Sequence, residues 1–194
     1  MLDRKRFAAA VAAASLSASG AAALAQASGG DPAPGNSLEQ PGDVSVEAAA
    51  RLRDIVRRID PQADFGAAGA VFTAGGVTVT LVYDINADRM RLASPVQAVE
   101  DIEPEIFLRM MQANFESALD ARYAVAQGVV WSTFIHPLSS LSSEAFGSGV
   151  AQTVNLVTTF GDTYSSGAIV FGGGDGVNQE RRLVDELKEK SRDI

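Results

Sequence analysis

Near residue 70 of this 194-residue chain the hydrophobic period changes from that of a helix to that of a strand, so any fold must pack both kinds of element on one core. Before the change, Leu52, Ile55, Val56 and Ile59 recur every three or four residues. This predicts a helix over residues 46–59, stopped by Asp60-Pro61, with Arg51, Arg53, Arg57 and Arg58 on its other side. After it, Val77, Val79 and Leu81 alternate with Thr78, Thr80 and Val82. That alternation predicts three short antiparallel strands within residues 70–96, turning at Ala74-Gly75-Gly76 and at residues 84–88, the third strand covering roughly 89–94.

Pro104 then opens a second helix to about Leu119, with Phe107, Met110, Met111, Phe115 and Leu119 at three- and four-residue intervals on one side. Residues 123–127 and 129–138, hinged at Gly128, read as a hairpin whose outer strand holds the only tryptophan, Trp131. A third helix starts after the cap Ser142, with Leu141 and Phe146 placed to staple across the cap, and runs to about Phe160, where Gly161 stops it. Residues 167–171 suit a final short strand. The glycines at 172–176 form a joint, and a charged helix over 178–190 has only Leu183, Val184 and Leu187 to bury, which predicts a frayed or partner-dependent appendage.

The chain's start reads differently. Arg4, Lys5 and Arg6 precede an Ala-rich apolar stretch and small-residue cleavage sites, the layout of an export signal over residues 1–25 cut after Ala25. Ser15, Ser17, Ser19 and Gly20 make that stretch too weakly apolar for a lasting membrane anchor. Residues 26–44, rich in Gly, Pro, Ser and Asn, read as a flexible tether; residues 45–171 form the domain, and 172–194 the joint and tail. The expected location is periplasmic or secreted.

Charge and composition narrow the function. The formal charge is −8, and loss of the leader makes it about −10, a surface that repels phosphate backbones and argues against nucleic-acid binding. With no cysteine, disulfides, thiol catalysis, cysteine zinc sites and a lipidated cysteine are excluded. Asp84, Asn86 and Asp88 match the first half of a calcium loop. However, Arg89 stands where glycine is required and Pro95 where a bidentate carboxylate is required, so the segment reads as a turn and no metal is expected.

The single histidine, His136, has no carboxylate or nucleophile at a telling spacing and reads as a strand-end residue with a structural hydrogen bond. Ser139, Ser140, Ser142 and Ser143 lack a nucleophile-elbow motif and suit helix capping. Gly147-Ser148-Gly149 suits close helix packing rather than a dinucleotide, and the 172–176 glycines lack the Lys-Ser/Thr pair of a phosphate loop. No catalytic residue and no cofactor is expected. The Phe107, Met110, Met111 and Phe115 face reads either as core or as a face shared with a second subunit.

The stretches Val82-Tyr83-Asp84, Arg91-Leu92-Ala93, the run from Phe107 to Phe115, Ala121-Arg122-Tyr123-Ala124-Val125, Trp131 and Pro137-Leu138 make up a pattern that resembles the type III secretion chaperone-like superfamily, its YbjN-like branch in particular. The resemblance implies an α+β fold in the order α-β-β-β-α-β-β-α. One antiparallel sheet of about five strands carries helices against it, in a protein that is frequently dimeric, binds protein segments and performs no chemistry.

Two functions follow as expectations. One is an exported, non-enzymatic module that buries an apolar segment of a partner protein on the sheet face or beside the Phe107, Met110, Met111 and Phe115 helix, with strand edges open to β pairing. The other is a small-molecule-binding or enzymatic domain with a pocket between sheet and helices near Trp131, His136 and Tyr164.

Overall fold

A computed structural model describes residues 41–166 and 177–191 of the chain. The expected leader over 1–25, the tether up to residue 40, the strand at 167–171 and the glycine joint at 172–176 lie outside the described residues.

The elements are α1 (Pro41–Ile59), β1 (Asp64–Gly66), β2 (Gly69–Ala74), β3 (Val77–Asp84), β4 (Arg89–Ala98), a 3-10 turn (Val99–Asp101), α2 (Pro104–Glu116), β5 (Arg122–Ala126), β6 (Val129–His136), α3 (Ser143–Thr158) and α4 (Val177–Ser191). The strands form one antiparallel sheet in the order β1-β2-β3-β4-β6-β5. The fold is α+β, as expected, with six strands instead of about five.

Strand alternation decides what each face carries. Leu81 pairs with Leu92 and Leu92 with Phe134, so these side chains share one face of the sheet. On that face lie α1 and α3, whose Leu52, Ile55, Val56, Phe146, Val150 and Val154 are fully buried. No described helix lies on the opposite face. The two-residue loops Gly75-Gly76 and Gln127-Gly128 have positive φ at both positions, the turn geometry that matches strand twist in a hairpin.

Several expectations need correction. β1 has only three residues, too few to show a period, and was not expected; it pairs from Asp64↔Val71 to Gly66↔Gly69. β4 continues through Pro95 to Ala98, because a register shift between Pro95 and Gln97 absorbs the missing donor. Trp131 is not on an outer strand, since β6 lies between β4 and β5. α1 begins at Pro41, inside the expected tether, and proline suits a first helical turn because its missing N–H has no partner to lose there.

The last helix is also no frayed appendage. Leu187 and Ser191 are buried and Leu183 packs against the core, while Val184 lies outside the described side chains. Arg58 Nε donates to the Lys190 carbonyl at 2.8 Å, and Lys188 Nζ stands 3.6 Å from Glu144 Oε1. Gly147 of α3 makes the close approach possible, since a β-carbon there would sit 2.8 Å from the Leu187 carbonyl oxygen.

The α1 arginines are likewise internal ties. Arg51 Nη2 donates to the Leu141 carbonyl (2.8 Å) and Arg53 Nη1 to the Gly66 carbonyl (2.8 Å), while the Arg53 and Arg57 guanidiniums each lie 4.8 Å from the Phe65 ring centre.

Candidate partner-binding surfaces

α2 crosses from the end of β4 to β5 and is fixed at several points. Asn114 Oδ1 accepts from the Tyr123 amide (2.8 Å), and Asn114 Nδ2 donates to the Tyr123 carbonyl (3.1 Å). Ser117 Oγ donates to the Tyr164 carbonyl (2.9 Å), and the Arg109 guanidinium lies 5.4 Å from the Tyr164 ring centre. The helix ends at Glu116, with the Ser117 and Ala118 amides both donating to the Ala113 carbonyl.

Fixed this way, α2 has two apolar sides, where the spacing argument saw one. At about 100° per residue, Phe107, Met110, Met111 and Phe115 span about 140° of the helix circumference, Leu119 lies beyond the helix end, and the core takes only part of that arc. Met110 and Ala113 are fully buried, and Ile106 and Phe107 are half-buried against the core. Leu108, Met111 and Phe115 point the other way and are 63%, 49% and 92% exposed. Met110 therefore belongs to the core, Phe107 flanks it, and Met111 and Phe115 form an outward stripe with Leu108, a residue outside the expected face. The i, i+3, i+7 spacing of 108, 111 and 115 was the available signal.

The strand edges are partly closed. At the β5 edge, Asn114 takes both backbone groups of Tyr123 as a neighbouring strand would. At the other end β1 covers part of β2, and beyond it the Thr73 amide donates to Asp60 Oδ2 at 2.7 Å. These positions are not open to an added strand.

Trp131, His136 and Tyr164 do not converge. Trp131 and His136 stand five residues apart on β6, roughly 17 Å along the strand and on opposite faces by parity. Trp131 lies on the helix-free face, where its indole N–H donates to the Ala126 carbonyl at 3.1 Å. His136 lies on the helix-covered side, its Nδ1 donating to the Pro137 carbonyl (2.7 Å) and its ring stacked 6.0 Å from that of Phe134. Tyr164 is buried, edge-on to Tyr123 and Phe160. A shallow cleft of about 240 Å³ includes His136 with Asp120, Phe134 and Ser148, but neither Trp131 nor Tyr164.

Two polar clusters escaped sequence reasoning because their members are far apart in the chain. The Asp88 carboxylate accepts from the Ser139 amide and hydroxyl (both 2.7 Å) and from the Ser45 hydroxyl (3.2 Å), joining α1, the β3–β4 turn and the β6–α3 loop. The Ser139 bonds hold its pKa below the ordinary 3.8. Buried Gln152 accepts from the Asp120 and Ala121 amides and donates to Asp120 Oδ2 and Ser148 Oγ, which commits the polar wall of the cleft to internal bonds. Ser142 caps α3, its Oγ accepting from the Ala145 amide at 3.1 Å.

Fold and surface together define an α+β domain whose described helices cover one face of the sheet, with a firmly held helix that carries an outward apolar stripe. No family model matches the chain, and no curated protein does. Solved structures similar to it include a chain of the ExsC-ExsE complex, at 18% identity and a TM-score of 0.48, covering 58% of this chain and 90% of that one. Another belongs to the HopA1-SchA chaperone-effector complex, at 12% identity and a TM-score of 0.46, covering 59% and 95%. Among the described residues, no helix is long and apolar enough to cross a membrane.

Proposed function

We propose that this chain is an exported, non-enzymatic protein-binding module of the YbjN-like, secretion-chaperone-like kind. It captures an apolar segment of a partner protein on the outward stripe of α2. The observation that carries this reading is Phe115, 92% exposed at the end of a helix whose Leu108 and Met111 are exposed in line with it. A side chain of that size presents on the order of 200 Å² to water, and burying each of the three in a partner is worth about 1.5–3 kcal/mol. The bonds to Tyr123 and Tyr164 hold the helix before any partner arrives, so little ordering entropy is lost on binding.

Export rests on the basic, apolar and small-residue layout of residues 1–25. Cleavage after Ala25 would release the domain into the periplasm or outside the cell.

The test is the double replacement Met111→Glu with Phe115→Glu. Both side chains are solvent-exposed, so the melting temperature should hold, while crosslinked capture of identified partners from periplasmic extract is lost. Retained capture by the folded double variant would rule the stripe out. Mass in solution separates the occupants: a dimer that the double variant turns into a monomer makes the partner a second copy.

A further inference from the structure

The sheet face that no described helix covers carries a charge pattern at odds with the net charge of the chain. Register places Val82, Arg91 and Ile135 side by side across β3, β4 and β6. The next row runs Val71, Thr80, Ala93, Thr133 and Arg122 from β2 to β5. Val71, Val82 and Ile135 are 40%, 50% and 54% exposed, so this face presents apolar area to solvent. Among it stand three arginines in a protein whose formal charge is −8.

These arginines are not used as the others are. Arg51 and Arg53 are bound to distant carbonyls, and Arg109 lies over Tyr164. Arg89 and Arg122 donate only to the carbonyl of the preceding residue and form no ion pair among the described residues, although Arg89 is near enough to Asp88 to help lower its pKa. Arg91 is exposed and, among the described residues, makes neither a hydrogen bond nor an ion pair. The nearest acid by register is Asp84, opposite Arg89, and its Oδ1 already accepts from the Asn86 and Ala87 amides. Asp64 shares the face at its far edge on β1.

We propose that this face is a second docking surface, centred on Arg91, for an acidic segment of a partner protein that carries apolar side chains between its carboxylates. Strand spacing and rise put the backbones of Arg91 and Arg122 about 12 Å apart, with Ile135 and Thr133 between them. A segment with two carboxylates at that separation and an apolar residue between them meets both guanidiniums while covering Ile135. The charges select the segment and steer it, and the apolar contacts retain it. The surface is distinct from the α2 stripe, so either can fail without the other.

The experiment displays random peptides of roughly twelve residues against the purified chain and measures each enriched peptide by fluorescence anisotropy. The expected peptides hold at least two Asp or Glu residues separated by apolar ones. Arg91→Glu should weaken them about tenfold or more, and Arg91→Ala by a smaller factor in the same direction. Binding should weaken between about 50 mM and about 500 mM salt, as exposed charges are screened. Phe115→Glu should leave the affinity unchanged. The proposal is overturned if no peptide is enriched, if neutral or basic peptides are, or if neither Arg91 variant moves the affinity. Vesicles of phosphatidylcholine with phosphatidylglycerol test a lipid source of negative charge; Arg91-dependent binding to them without peptide binding also overturns it.

Discussion

Replacing Gly147 by alanine sets helix propensity against tertiary packing, and the two predict opposite signs for the change in stability. Within α3, exchanging glycine for alanine on its own should stabilise by about 0.5–1 kcal/mol. The added β-carbon would, however, sit 2.6 Å from Ser191 Oγ and 2.8 Å from the Leu187 carbonyl oxygen. The hydroxyl can rotate, at the cost of its 2.7 Å bond to the Lys188 carbonyl, but the Leu187 oxygen moves only if α4 moves. Overpacking of this kind costs about 1–3 kcal/mol. Because the obstruction is backbone, the upper part of that range applies, and the net effect is a loss of about 1–2 kcal/mol, each kcal/mol lowering the melting temperature by about 2–4 °C. Urea denaturation gives the sign, and hydrogen exchange of the α4 amides should rise in the variant. Adding Ser191→Ala should recover part of the loss. A Gly147→Ala protein more stable than the parent by the propensity term, with α4 exchange unchanged, would refute the docking of α4 on α3.

Three further outcomes are expected. Hydrogen bonds from Ser139 and Ser45 depress the Asp88 pKa, so the stability it adds is complete above the ordinary carboxylate pKa of 3.8 and is lost as pH falls through the lower folded value. Melting curves in acid should therefore show a smaller pH dependence in Asp88→Asn than in the parent. Asn114→Ala removes two bonds to the β5 edge and should cost about 1–3 kcal/mol by chemical denaturation, with increased light scattering on warming as that edge opens. Burial pushes the Tyr123 phenol pKa up, and the neutral hydroxyl donates to the Leu156 carbonyl at 2.6 Å. Its stabilising effect is complete below pH 10 and lost above it, so phenolate absorbance from Tyr123, found by difference from Tyr123→Phe, should appear only with unfolding.

What could be read from the residues was what periodicity encodes. Val77, Val79 and Leu81 announce a strand because alternate positions meet one core, and Leu52 to Ile59 announce a helix for the same reason at a different spacing. Periodicity fails where an element is too short, as in β1, or where one residue's rule is overridden by geometry nearby, as at Pro95. It also fails where two faces of one helix are both apolar. Met110 and Met111 are adjacent and chemically alike, yet one is core and the other surface, and only the position of β5 decides which. The pocket expected at Trp131, His136 and Tyr164 rested on closeness in sequence, which strand parity undoes. The Asp88–Ser139 and Asn114–Tyr123 bonds carry no local signature, because each joins segments brought together only by the finished sheet.

The placement of β6 has a consequence for how the sheet assembles. β1 to β4 can form as a meander through short turns, each closing a small loop at little entropic cost. β4 and β6 make the most extensive pairing in the sheet, yet β4 must wait for the chain to pass through α2 and β5 before its partner is available. The β5–β6 hairpin is local and enters as a unit, turning its inner strand toward β4. Until it arrives, the whole outer edge of β4 from Met90 to Ala98 is unpaired, and it is this edge, closed in the native protein, that a holding factor would have to shield during synthesis or transit.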